Sequence, residues 1–268
     1  MNKTLITFFT VLFCLASSLG WSLEYKELAK RDGLYYKKFT EVPFNGKVEG
    51  QIQGSIRNGK SEGSWVVYHD NGQLKYKGDY KDGKAEGSWV VYHDNGQLYS
   101  KGDYKDGKEE GSWVNYHDDN GKVSSKGNYR NGKLEGSMIF YHDNGKVSSK
   151  GNYKNGNRDG FWVRYWDNGK LRSKRNFKNG ILDGSYVKYF SNGTVSSKGN
   201  YKNDILDGSW ILYQRNGKLA AKGNYENGMV EGYWVFNEMD SWLRLGIKGI
   251  DINDQKTGTF KDGKRISD

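Results

Sequence analysis

Residues 61–84 read SEGSWVVYHDNGQLKYKGDYKDGK, and this stretch decides the fold. Its first part is rich in aromatic and β-branched residues, which favour strands, and it ends at the pair Asn71-Gly72. Residues 74–80 alternate apolar side chains with Lys or Asp, as a half-exposed strand does, and a second turn pair begins at Asp82. The stretch therefore predicts two antiparallel strands per unit, with two-residue type I′ turns at both pairs.

The same stretch recurs along the chain with a period of 24 residues. One spacing is 25 residues, because Asp119 is inserted in a turn, where an added residue costs little. A repeat of this kind predicts an all-β fold, an elongated antiparallel β-meander of about eight hairpin units with capped ends. The large side chain that marks each unit is found at Trp65, Trp89, Trp113, Met138, Trp162, Tyr186, Trp210 and Trp234.

Two strand registers remain open. In the first, a two-residue turn places Trp65 opposite Gly78, with the ring lying across that glycine, and His69 opposite Leu74. In the second, a three-residue turn with a bulge places Tyr68 opposite Leu74 and sends Trp65 outward. We expect the recurrent tryptophans and glycines to be the structural positions of the repeat: Trp65, Trp89, Trp113, Trp162, Trp210, Trp234, Gly78, Gly102 and Gly127.

The composition excludes several classes of protein. The 268 residues include 37 Gly but one Pro, which excludes collagen and proline-rich linkers and indicates many tight turns. Aromatic residues make up 15% of the chain, too many for a disordered protein. The 42 basic residues exceed the 32 acidic residues by 10, so the chain carries a clear positive charge.

Residues 1–20 have the features of a secretory signal peptide. Lys3 precedes the apolar run 5–15, and small residues follow, with cleavage after Ser18 or after Gly20 both open. We therefore expect export to the periplasm, the cell surface or the medium, unless the segment is retained as an anchor. Cys14 follows Phe13 rather than the small residue of a lipoprotein motif, so we expect it to be lost with the signal.

The remainder of the chain divides into three parts. Residues 21–60 contain a shortened turn element and are expected to form an N-terminal cap with a short degenerate repeat. Residues 61–236 are the repeat array. Residues 237–268 form an irregular C-terminal cap, in which residues 258–264 resemble residues 78–84 of the repeat.

The recurrent titratable residues do not predict a catalytic, cofactor or metal site. His69, His93, His117 and His142 occupy equivalent positions about two strand spacings, roughly 10 Å, apart, which is too far for shared zinc ligation at about 2 Å. A packing or turn-flanking role is expected instead. The acidic residue before each recurrent Gly is expected to support a turn or an ion pair, because a catalytic pair needs two carboxyl groups in one pocket. We therefore expect no enzyme activity.

One lysine in each unit falls at the same repeat position and predicts a row of cations along one face. Such a row is suited to an anionic polymer, a lipid surface or an acidic protein. We favour the other interpretation, that these lysines lie diagonally from the recurrent Glu or Asp of the next strand, where they solvate the sheet and guard against aggregation. Nucleic acid is disfavoured as a partner because of the predicted export. The row consists of Lys77, Lys101, Lys126, Lys150, Lys174, Lys198 and Lys222.

The pattern acidic-Gly-x-Trp-x-x-Tyr-x-x-Asn-Gly-x-Leu-x-x-Lys-Gly-x-Tyr-x-x-Gly resembles the MORN repeat, in particular its bacterial variant, over residues 44–236 and 257–264. The resemblance implies scaffolding, dimerisation or membrane contact, and bacterial proteins of this type carry the label of YwqK-family antitoxins of toxin-antitoxin systems. We expect a non-enzymatic exported protein that binds or scaffolds other proteins. The alternative is a module that binds an anionic polymer, a glycan through outward-facing aromatic residues, or a lipid surface of the envelope. The oligomeric state is left open.

Overall fold

The structure is a computed structural model that describes residues 22–237 and 256–267. The predicted signal peptide and the stretch around Trp242 lie outside the described residues. Within the described ranges, no helix is long and apolar enough to cross a membrane.

The described chain is almost entirely β-structure, as predicted. A short 3₁₀ helix, Tyr25–Glu27, lies near the N-terminal end. The leading strands are β1 (Ser22–Glu24), β2 (Leu28–Arg31), β3 (Leu34–Lys37), β4 (Gly46–Glu49) and β5 (Ile52–Arg57). The array comprises β6 (Lys60–Tyr68), β7 (Leu74–Lys81), β8 (Lys84–Tyr92), β9 (Leu98–Lys105), β10 (Lys108–Tyr116), β11 (Val123–Arg130), β12 (Lys133–Tyr141), β13 (Val147–Lys154), β14 (Asn157–Tyr165), β15 (Leu171–Lys178), β16 (Ile181–Tyr189), β17 (Val195–Lys202), β18 (Ile205–Leu206), β19 (Gly208–Tyr213), β20 (Leu219–Glu226) and β21 (Met229–Phe236). The last strands are β22 (Gly258–Lys261) and β23 (Lys264–Ser267).

From β4 to β23 each strand pairs antiparallel with the next along the chain, except that β18 and β19 both pair with β17. The predicted meander is therefore confirmed. We number the units by their hairpins: unit one is β6–β7, unit two β8–β9, unit three β10–β11, unit four β12–β13, unit five β14–β15, unit six β16–β17, unit seven β18/β19–β20 and unit eight β21–β22. At the N-terminal end, β1 adds parallel to β4, while β2 and β3 form a separate hairpin.

The two turns of each unit differ. Asp82 and Gly83 have φ values of 51° and 80°, and Lys81 pairs with Lys84, so the two-residue type I′ turn predicted there is confirmed. The same prediction for Asn71-Gly72 is wrong. Of these two, Gly72 alone has a positive φ, and the Gly72 N–H donates to the His69 carbonyl, which closes a three-residue loop with a bulge. Asn71 Oδ1 accepts the Gln73 N–H at 3.0 Å, and this side-chain bond favours the longer loop.

The observed register combines features of both alternatives. Trp65 pairs with Gly78 and Val67 with Tyr76, as in the first register, but Tyr68 rather than His69 pairs with Leu74, as in the second. A bulge at Lys75 absorbs the extra residue, so Trp65 stays inward although the turn is longer.

The glycine that a tryptophan ring covers is not the one expected. Gly78 pairs with Trp65, but the ring lying across Gly78 is that of Trp89 in the next unit, and a Cβ on Gly78 would lie 2.3 Å from its Cδ2 atom. Between β7 and β8, three residues, 87–89, face Gly78 alone. This bulge tilts Trp89 back over the preceding strand, and the ring of Trp65 correspondingly covers Gly54.

Hydrogen bonds from turn residues join neighbouring parts of the array at both edges of the sheet. At the long-turn edge, Asn71 Nδ2 donates to the Asp94 carbonyl at 2.6 Å, and the same contact recurs five further times along the array. At the type I′ edge, the Gly83 N–H donates to the Ser61 carbonyl and the Asp82 N–H to Glu62 Oε2. Each turn is therefore bonded to the unit beside it.

Candidate binding surfaces

We call the face that carries the recurrent tryptophans the inner face. Its rings form an edge-to-face series, with centroids 5.2 Å apart for Tyr80 and Trp89 and 5.5 Å apart for Trp89 and Tyr104. Burial raises the pKa of Tyr80 to about 12. All the predicted structural tryptophans are buried here: Trp65, Trp89, Trp113, Trp162, Trp210 and Trp234.

We call the opposite face, which carries the predicted lysines, the outer face. Lys77 pairs with Val66 on one side and with Val90 on the other, and Lys101 pairs with Val90 and Val114. The alternation of lysine with valine or isoleucine continues to Val235. The lysines are exposed and the aliphatic residues half-buried, so the outer face carries a stripe of cations set between apolar side chains.

The structure does not place these lysines in ion pairs. Among the described residues, no carboxylate lies within 4.0 Å of a row lysine. Asp79 and Asp103 follow the first two row lysines by two positions, but later units have Asn there, from Asn128 onward. The positive potential of the row is therefore least compensated from unit three to unit seven.

The recurrent histidines and acids flank turns. His69 Nε2 lies 3.1 Å from the Tyr92 carbonyl, and His142 Nε2 lies 3.2 Å from the Tyr165 carbonyl. The carboxylate of Glu86 accepts the N–H of Asp106 at 2.9 Å. These contacts fit the turn-flanking roles expected from the sequence. In the described part of the chain, no three His, Cys, Asp or Glu side chains cluster as metal ligands would.

Two of the exposed aromatic residues share one repeat position. Phe161 is 67% exposed and Tyr233 is 58% exposed, and both replace the Ser that usually follows the recurrent Gly. Their backbone partners are Asn176 and Thr259, which places them on the outer face. Sequence reasoning left open which aromatic residues face outward, because that depends on the register.

A basic cluster on the inner face of units five and six was not foreseen. Arg164 stands where earlier units have Val67, Val91, Asn115 and Phe140, and Lys188 follows in the same row. Ser173 pairs with Arg164 on one side and with Lys188 on the other. We call Arg158, Arg164, Arg175 and Lys188 the inner basic cluster.

Aromatic rings support the guanidinium groups of this cluster. The Arg158 group lies 4.7 Å from the centroid of Trp162, and the Arg175 group lies 5.7 Å from that of Tyr186. Partial burial and then the charges of Arg175, Arg172 and Arg158 lower the pKa of Arg164. The signal in the sequence was the departure from the repeat, because cations occupy positions that hold apolar residues, glycine, uncharged polar residues or, at Glu109, an acid in other units.

Comparison with known proteins identifies the repeat. The model of the MORN repeat variant family matches residues 61–82, 85–106, 134–155, 158–179, 182–203 and 206–227. The unmatched stretch between the second and third of these segments holds unit three, in which Asp119 is inserted, yet Trp113 pairs with Gly127 there as in its neighbours.

Among solved structures, one similar chain is from a crystal structure of the GtfA/B complex bound to UDP and GlcNAc, at 13% identity over 57% of this chain and 29% of that one, with a TM-score of 0.17. Another is from a crystal structure of TcdB2-TccC3-Cdc42, at 12% identity over 69% of this chain and 13% of that one, with a TM-score of 0.16. This chain thus spans less than a third of the length of either matched chain. No curated protein matches it. The six matched segments show that the chain is a MORN repeat protein, with six repeats of the MORN repeat variant family.

Proposed function

We propose that this chain is a non-enzymatic, exported repeat protein that binds another protein or scaffolds an assembly in the cell envelope. The observation that supports this is the regular spacing of like side chains over eight units, which the turn-to-turn hydrogen bonds hold in place. A surface of this kind binds through extended area rather than through one enclosed pocket. Export is proposed from the sequence of residues 1–20.

The resemblance to bacterial proteins labelled as YwqK-family antitoxins supports a more specific proposal. Under this proposal, the chain is bacterial and its partner is a toxin that acts in the envelope, because an exported chain does not meet a cytoplasmic toxin.

The test is affinity capture from envelope extract with the full purified chain as bait, washed at low and then at high salt. We expect a protein at fixed stoichiometry that survives the high-salt wash, since protein interfaces combine apolar burial with polar contacts. Retention of polysaccharide or lipid alone, lost at high salt, would contradict protein binding. Cell fractionation tests export separately, and recovery of the chain in the cytosol alone would contradict it.

A second candidate function is binding of an anionic envelope polymer or lipid surface by the lysine row. The observation that favours it is the exposure of seven lysines with no described carboxylate within 4.0 Å. Replacing Lys101, Lys126 and Lys150 together by Ala should lower polymer retention and its salt dependence. The matched control replaces Lys108, Lys133 and Lys154, which lie at strand ends outside the row. Equal loss in both triple variants would indicate a general charge effect and contradict a role for the row.

A further inference from the structure

The inner basic cluster has no acidic partner: Arg158, Arg164 and Lys188 are exposed, and Arg175 is half-buried. Among the described residues, no carboxylate lies within 4.0 Å of Arg158, Arg164, Arg175 or Lys188. Like charges held together without counter-charges raise the free energy of the folded state, so a site of this kind gains most from an incoming anion.

A buried hydroxyl in the same place also lacks a partner. Ser173 is 2% exposed, and its Oγ atom has no hydrogen-bond partner within the described part of the chain, although it lies between Arg164 and Lys188 in the cross-strand row. The buried Nε–H of Arg175 is likewise unpaired. An unsatisfied buried donor destabilises the folded state, and a ligand oxygen that pairs with it would remove that cost. The orphan hydroxyl and the cations therefore point to the same ligand chemistry.

The side chains on either side of the cluster distinguish between kinds of anion. In the row that holds Arg164 and Lys188, the half-buried Phe140 precedes at the same repeat position, whereas Leu212, which follows, is only 6% exposed and is not open to a ligand. Successive units advance by about two strand spacings, roughly 10 Å, so the row presents one apolar and two basic sites along about 20 Å. An isolated oxyanion would reach only the basic sites, whereas an extended peptide of about six residues would span all three.

We propose that the inner face of units four to six binds an acidic segment of a partner protein, with carboxylates on Arg164, Arg175, Lys188 and the Ser173 hydroxyl and with a flanking apolar residue on Phe140. Arginine forks and a hydroxyl donor match carboxylate oxygens in geometry and charge. This inference rests on the proposed protein-binding function and specifies the partner's chemistry and its docking face.

The test uses the full chain and labelled peptides of this length that carry Leu at the end that meets Phe140 and Glu at the other positions. Gln–Leu and Lys–Leu peptides, with Gln or Lys in place of Glu, are the probes of charge. We expect the Glu–Leu peptide to bind at least about tenfold more tightly than the others, which corresponds to about 1.4 kcal/mol. The double variant Arg164→Glu with Lys188→Glu should lose this preference. The double variant Lys174→Glu with Lys198→Glu makes the same charge change on the outer face and should retain it within about threefold.

Ser173→Ala provides a variant that tests the hydroxyl without a change in charge. Because the hydroxyl has no partner in the free chain, we expect thermal stability to hold or rise while affinity for the Glu–Leu peptide falls severalfold. A loss of stability with unchanged affinity would assign Ser173 a structural role and overturn its place in the site.

Other outcomes would also overturn the proposal. Equal binding of the Glu–Leu and Gln–Leu peptides, or unchanged binding in the Arg164/Lys188 double variant, would exclude an acidic docking segment on this face. Full displacement of the peptide by inorganic phosphate at equal concentration would reassign the cluster to small oxyanions. A captured envelope protein that binds the Arg164/Lys188 variant normally would leave the protein-binding function intact while refuting this docking face.

Discussion

Arg175 stands where neighbouring units have glycine, and the ring that faces it is Tyr186, where those units have tryptophan or, in unit four, methionine. Their contact is the guanidinium over the ring at 5.7 Å. Elsewhere the ring lies so close to the glycine that a Cβ would clash, as for Trp89 on Gly78. The two departures from the repeat therefore occur as a pair, because a side chain at the glycine position excludes an indole ring across it.

Gly78→Ala should destabilise the array. The new Cβ would lie 2.3 Å from Trp89 Cδ2, so the ring must move, and overpacking of this kind costs about 1–3 kcal/mol. Urea unfolding followed by tryptophan fluorescence measures the change. Ser64→Ala, at an exposed position of the same hairpin, is the control and should change stability by less than about 0.5 kcal/mol. Equal effects of the two substitutions would contradict the close packing.

The pair Arg175 and Tyr186 should show coupling in a double-mutant cycle. Tyr186→Trp alone should destabilise, since the indole ring would meet the Arg175 side chain, whereas Arg175→Gly together with Tyr186→Trp restores the usual arrangement. We expect a coupling energy of about 0.5–3 kcal/mol in favour of the double variant, measured by urea unfolding. Additive single effects would show that the two positions are independent.

Glu86→Ala should weaken the type I′ turn at Asp106-Gly107, which joins β9 to β10. Its carboxylate accepts the Asp106 N–H, and Asp106 has a φ of 51°, so the bond helps to hold a strained turn residue. Loss of about 1 kcal/mol is expected in urea unfolding. Glu86→Gln keeps an oxygen acceptor and should lose less than half as much. A Gln variant as unstable as the Ala variant would assign the effect to charge instead.

The buried tyrosines predict loss of stability at alkaline pH. Burial raises the pKa of Tyr80 from 10.0 to about 12, so the folded chain keeps the phenol proton where the unfolded chain releases it. The stabilisation is complete below about pH 10 and is lost as pH rises toward about 12. Thermal unfolding across this range should show a falling midpoint. Tyr80→Phe leaves every lysine in place, so the midpoint of this variant should fall less steeply with pH. An identical profile in the two proteins would contradict the role of the Tyr80 phenol.

The sequence predicted the hairpins because the strand pattern and the turn residues act locally. It did not predict which glycine Trp89 covers, since that depends on the three-residue bulge opposite Gly78 between adjacent units. The longer turn at Asn71 was missed for a similar reason: the Asn71 side chain bonds both its own turn and the Asp94 carbonyl of the next unit. The row of lysines could be predicted from the 24-residue period alone. The inner basic cluster could not, because its residues lie at positions where the sequence departs from the repeat.

The inserted Asp119 shows how the two edges of the sheet differ in their tolerance of added length. Unit three holds one more residue in its long turn, yet Asn120 Nδ2 still donates to the Asp143 carbonyl at 3.2 Å and the Gly121 N–H still bonds to the His117 carbonyl. At the other edge, a backbone carbonyl and a carboxylate of the neighbouring unit each fix one residue of the two-residue turn. Sequence variation in length, and any inserted tag or epitope, should therefore be accommodated at the asparagine edge, while the opposite edge fixes the pitch of the array.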